Sequence, residues 1–71
     1  MELKIGDLVR IKDNAIFADD LEVGDLGKVD AFEGEDLVVI SFLKKGKVRC
    51  GLWRNNPVWF DRFLEKGRDF L

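Results

Sequence analysis

Residues 24–32 read Gly-Asp-Leu-Gly-Lys-Val-Asp-Ala-Phe, two glycines three apart leading into Val29 and Ala31 at alternate positions. Glycines so placed supply a tight turn, and the alternation that follows is the pattern of a strand with one buried face. The same opening occurs earlier as Gly6-Asp7-Leu8-Val9-Arg10-Ile11. A repeated turn that feeds a short alternating strand confines the chain to short strands joined by tight turns. With only 71 residues, it predicts one small all-β domain whose core is correspondingly modest.

In chain order, residues 3–12 alternate, with Ile5, Val9 and Ile11 on one parity and Lys4, Arg10 and Lys12 on the other. They predict strand 1, its core face running through Val9 and Ile11, with Leu8 on the outer face or against a neighbouring loop. Residues 13–25 predict a long loop anchored by Phe17 and Val23, with a short helical turn near residues 15–21 as a lesser alternative. Strand 2 is expected over 26–32, Val29 and Ala31 inward. Strand 3, over 37–43, is apolar on both parities and is expected to be the most central. Residues 44–47, Lys-Lys-Gly-Lys, predict a hairpin with Gly46 at the position of positive φ. Strand 4, over 48–53, places Val48, Cys50 and Leu52 on one face and Arg49, Gly51 and Trp53 on the other.

The last segment admits two readings. Asn56 as N-cap, Pro57 in the first turn and Gly67 beyond the end would frame a short C-terminal helix, giving four strands plus a helix. The other reading is a 3₁₀ turn over 57–61 followed by a fifth short strand over 63–66, leaving 67–71 as a tail. The second is preferred, because four strands alone leave a barrel unclosed, with exposed edges.

Five short strands, a long first loop, tight later hairpins and a 3₁₀ turn before the last strand resemble an SH3-like five-stranded barrel spanning residues 1–66. The element Gly24-x-x-Gly27-x-Val29 is similar to the glycine–hydrophobic signature of KOW-type domains in transcription and ribosomal proteins. Gly6-Asp7-x-Val9-x-Ile11 and Phe63-Leu64-Glu65 look like the two ends of such a barrel. The pattern equally resembles small SH3-like accessory subunits such as photosystem I subunit IV and the ferredoxin–thioredoxin reductase variable chain. The resemblance implies a binding module, either an accessory subunit docked on a larger protein or a nucleic-acid- or ribosome-associated domain.

Chemistry is sparse. The chain has no histidine and no tyrosine, which removes the commonest general base and most catalytic triads. The single Cys50 shares its parity with Val48 and Leu52 and reads as a buried structural thiol. The acids of residues 19–25 do not follow the spacing of a calcium-binding loop. Residues 24–28 lack the spacing and the hydroxyl residue of a phosphate-binding loop. No enzyme, metal or cofactor is expected, and one free thiol without a signal peptide or apolar span predicts a cytoplasmic protein.

Charge is segregated along the chain. Residues 1–36 carry eleven acids against four bases, a balance of −7, and residues 37–71 carry eight bases against three acids, a balance of +5. The plainer expectation is that the two halves interleave in space and neutralise each other. Two candidate surfaces remain. Trp53 and Trp59, with Phe17 and flanked by Arg49 and Arg54, form a candidate protein-binding patch, since tryptophan and arginine anchor many interfaces. Lys44, Lys45, Lys47, Arg49 and Arg54 form the alternative, a basic hairpin that could meet phosphates while a ring stacks on a base.

Overall fold

A computed structural model describes residues 3–17, 20–51 and 61–67. They form one antiparallel sheet of five strands: β1 (Leu8–Ile11), β2 (Leu26–Glu33), β3 (Leu37–Phe42), β4 (Gly46–Cys50) and β5 (Leu64–Gly67). The order across the sheet is β4-β3-β2-β1-β5. The protein is therefore all-β, and no helix occurs among the described residues. The fifth strand replaces the C-terminal helix of the alternative reading and runs one residue past the expected Lys66. The expected 3₁₀ segment lies mostly outside the described residues, which resume in the turn 61–63 just before β5.

The repeated Gly-Asp-Leu builds the β1–β2 pair. In both copies a turn places glycine third with positive φ, 97° at Gly6 and 98° at Gly24, as a type II turn requires. Each turn is closed twice over by its aspartate. Asp7 N–H donates to the Lys4 carbonyl at 3.0 Å, and its Oδ2 accepts the Lys4 N–H at 2.8 Å. Asp25 N–H donates to the Glu22 carbonyl at 3.1 Å, and its Oδ2 accepts the Glu22 N–H at 2.8 Å.

Each turn then grips the other's strand just beyond the last paired residues of the β1–β2 ladder. Gly6 N–H donates to the Val29 carbonyl and Val29 N–H to the Asp7 carbonyl, both at 2.8 Å. Gly24 N–H donates to the Ile11 carbonyl at 2.8 Å and Ile11 N–H to the Asp25 carbonyl at 3.0 Å. Adding eighteen to each number of the first copy gives the second, so β1 and β2 are related by a local twofold. Ile5 and Val23 occupy the turn corners and are 66% and 61% exposed. That corrects two expectations. Strand 1 begins at Leu8 because the 4–7 turn occupies its first residues, and Val23 is no anchor of the first loop. The anchor is Leu21, fully buried, joined by Phe17, whose ring meets Phe42 edge-on at 5.8 Å. Of the lesser helical alternative, only a turn closed by Phe17 N–H on the Asn14 carbonyl at 3.1 Å falls among the described residues.

The core lies on the face of Val9, Ile11, Val29, Val38, Ile40 and Phe42, with Leu3, Leu21, Cys50 and Leu64 around it. Strand 3 is buried on both parities as expected, Val39 at 3% exposure on the face opposite Val38 and Ile40. The middle place in the sheet nevertheless belongs to β2. A bulge at Asp30 shifts the β2–β3 register between Val29 and Ala31. An extra residue in one strand flips the faces beyond it. Phe32, opposite Val38, therefore takes the inward place expected of Ala31, and Ala31 lies opposite Val39, half-buried. Gly46 has φ 94° as expected, but it already pairs with Phe42, so β4 starts two residues early.

Gly27 sits where the repeat has Val9, its direct partner across the strands. A Cβ there would lie 2.8 Å from Ile40 Cγ2 and 2.8 Å from Phe42 Cδ1. Both atoms belong to buried side chains, so neither has room to give. Gly27→Ala is accordingly expected to lower stability by about 1–3 kcal/mol in urea unfolding through overpacking. Gly6→Ala and Gly24→Ala, which meet open space and fail only on backbone conformation, are expected to cost about 1–2 kcal/mol each and nearly the same as one another.

Candidate functional site: an apolar groove on the outer sheet face

The lock between the turns fixes which side chains face away from the core. With Val9 and Gly27 paired and inward, their neighbours Leu8 and Leu26 stand on the outer face, opposite Lys28 and Arg10 respectively. The chain leaves β3 at Leu43, whose N–H donates to the Leu26 carbonyl at 3.0 Å, bringing that side chain beside Leu26. Leu8, Leu26, Lys28, Ser41 and Leu43 border a shallow cavity of about 110 Å³, with Val9 and Gly27 at its floor. Leu8 and Leu26 are half-buried and Leu43 is 78% exposed. The expectation for Leu8 is met. Leu26 and Leu43 were not singled out by pattern, and the signal for Leu26 was present as the second copy of Gly-Asp-Leu.

The basic hairpin folds against the acidic half. Lys44 Nζ lies 3.8 Å from Glu22 and 3.9 Å from Asp25. Lys45 Nζ is 2.9 Å from Asp20, Lys47 Nζ is 3.2 Å from Asp30, and Arg49 Nε is 2.6 Å from Glu33. The hydrogen bond from Lys45, with its positive charge and that of Lys44 behind it, holds the Asp20 carboxyl below its ordinary range. Toward the opposite edge of the sheet, where β5 pairs with β1, Arg10 pairs with Glu65, and Lys66 lies 3.6 Å from Asp7. The segregated charges thus interleave in space, as the plainer expectation had it. Exposed pairs of this kind contribute little stability each, but they cancel the field a basic patch would present.

The other proposed contact residues are distributed as follows. Phe17 is half-buried with its ring against Phe42. Trp53, Trp59 and Arg54 lie outside the described residues. Among the described residues no three metal-ligating side chains stand together, and no helix is long and apolar enough to cross a membrane. No family model matches the chain, and no curated protein or solved structure matches it either.

Cys50 points inward and is buried, as its parity predicted. Burial disfavours the thiolate and pushes the thiol up to about 11 from 9.0. The unfolded chain therefore loses this proton first as pH rises. The contribution is complete below pH 9.0 and is lost progressively up to about pH 11. Stability is expected to fall across that window by at most about 1.4 kcal/mol per pH unit from this group. Urea midpoints compared with Cys50→Ala isolate the effect, because the variant lacks it while keeping every lysine. The native thiol is also expected to react with a disulfide reagent at mildly alkaline pH only as fast as the protein opens.

Proposed function

We propose that this protein is a non-enzymatic protein-interaction module, an accessory or regulatory subunit that docks on a larger partner. One observation carries the reading: three leucines, Leu8, Leu26 and Leu43, border an open groove on the outer face of the sheet. The core is built from other side chains, so these three are not needed to close it. A concave apolar site with a few polar groups at its rim is the usual form of a binding site. The aromatic residues Trp53 and Trp59 are retained in the proposal as further contacts, and Arg49 and Arg54 as flanking charges. Phe17 is a less suitable contact, since its ring already serves the core.

An SH3-like barrel is proposed for the architecture. The antiparallel order β4-β3-β2-β1-β5 and the long β2, bent at the Asp30 bulge, support it. A cytoplasmic setting is proposed from the single buried free thiol.

The KOW-like nucleic-acid reading is the less favoured. Lys44, Lys45, Lys47 and Arg49 each have a carboxylate partner no farther than 3.9 Å. A phosphate would have to compete with that carboxylate and would be repelled by it.

Leu43→Asp separates the readings, because Leu43 is exposed and its change is expected to leave the melting temperature within a few degrees. Partner recovery on the immobilised 71-residue chain is expected to be lost in this variant. Retention of nucleic acid is expected to be absent for wild type and variant alike at moderate salt. Tight, steeply salt-dependent binding of generic RNA or DNA, abolished by Lys44→Glu with Lys45→Glu, would replace the proposal with the nucleic-acid reading.

A further inference from the structure

Lys28 differs from the cations of the hairpin. It lies in the lining of the leucine groove, exposed on β2 and opposite both Leu8 and Ser41. Among the described residues it makes no ion pair and no side-chain hydrogen bond, whereas Lys44, Lys45, Lys47 and Arg49 are all matched. No aspartate or glutamate lines the groove. The site thus combines an apolar seat, one ammonium without an ion-pair partner among the described residues and the Ser41 hydroxyl, with no carboxylate in its lining.

We infer that the groove receives a single aliphatic side chain from an acidic segment of a partner protein, whose adjacent carboxylate reaches Lys28. This rests on the docking reading above and gives it a specificity. The volume, about 110 Å³, is below the roughly 150 Å³ that admits a benzene ring, which suits one leucine or isoleucine side chain and not a stacked aromatic pair. A basic segment placed there would set its charge against Lys28 with no carboxylate in the lining to compensate, so repulsion supplies selectivity as well as attraction.

The test uses two short capped peptides, acetyl-Glu-Leu-Asp-Glu-amide and acetyl-Lys-Leu-Lys-Lys-amide, titrated to millimolar concentration into the isotopically labelled full chain and followed by amide NMR. The acidic peptide is expected to shift Leu8, Leu26, Lys28 and Leu43 and to bind about two- to fivefold more tightly than the basic one, the scale of one exposed charge pair. Lys28→Glu is expected to reverse that order, and Lys28→Gln to abolish the preference while both peptides still bind. Equal binding of the two peptides at the groove of the wild type would overturn the acidic specificity and leave the docking groove standing. Shifts confined to residues 44–49 would overturn it in favour of general charge attraction. No shift at the groove with either peptide, and none lost in Leu43→Asp, would overturn the groove itself.

Discussion

The structure depends on a reciprocal backbone lock. Each of two Gly-Asp turns reaches across to the other's strand, Gly6 and Asp7 onto Val29 midway along β2, Gly24 and Asp25 onto Ile11 at the end of β1. β1 has only four residues, and a strand so short gains little from its own ladder. Four additional hydrogen bonds, each contributing about 1 kcal/mol net, hold it at both ends and remove any freedom of register. Everything else is placed by that register. It sets Val9 against Gly27, and the missing side chain at Gly27 lets Ile40 and Phe42 close over the pair. β5 then lies along the free edge of β1, with Lys12 N–H donating to the Phe63 carbonyl at 2.7 Å beyond the last paired residue.

The charges follow the fold and do not direct it. The β3–β4 hairpin returns over the loop that precedes β2, so the cations at its tip meet Asp20, Glu22 and Asp25. The bulge turns Asp30 out of the ladder and sets it beside Lys47. Because exposed pairs stabilise only weakly, their main consequence is to flatten the surface potential. On a surface evened out in this way, one lysine without an ion-pair partner among the described residues becomes, inside an apolar groove, a local distinction that the net charge of −2 would never disclose.

What the sequence disclosed follows from the range of the interactions concerned. Val9 and Ile11 were legible from alternation, Gly46 from hairpin chemistry, Cys50 from parity, and the burial of β3 on both faces from its unbroken apolar run. Each is a property of residues adjacent in the chain. The bulge was not legible, because it exists only in the pairing of β2 with β3, and it alone exchanges Ala31 for Phe32 on the inner face. Leu21 and Val23 share a parity, yet one is fully buried and the other 61% exposed. The Glu22–Asp25 turn swings Val23 to its corner and breaks the alternation that made it an anchor. Of the candidate site, the repeated Leu8 and Leu26 were visible as a pattern but not as a surface. Their proximity to Leu43 depends on a hydrogen bond between segments seventeen residues apart.

The outward position of Leu8 and Leu26 is a consequence of the lock. The aspartate must end its turn with its carbonyl on the partner strand, so the next residue points outward and the one after it inward. Side chains at such places need only be compatible with a strand, and a polar residue would leave the hydrogen bonds intact. Leucine at both, with Leu43 beside them, leaves apolar area in water that returns about 25 cal/mol per Å² only when something covers it. A fully exposed leucine returns no more than about 1.5–3 kcal/mol on burial, and the half-buried Leu8 and Leu26 return less than Leu43. Set against the several kcal/mol that association costs, a partner held by this groove alone would dock weakly and reversibly. Strong attachment would require a second contact, and the natural place to seek it is the segment that carries Trp53 and Trp59.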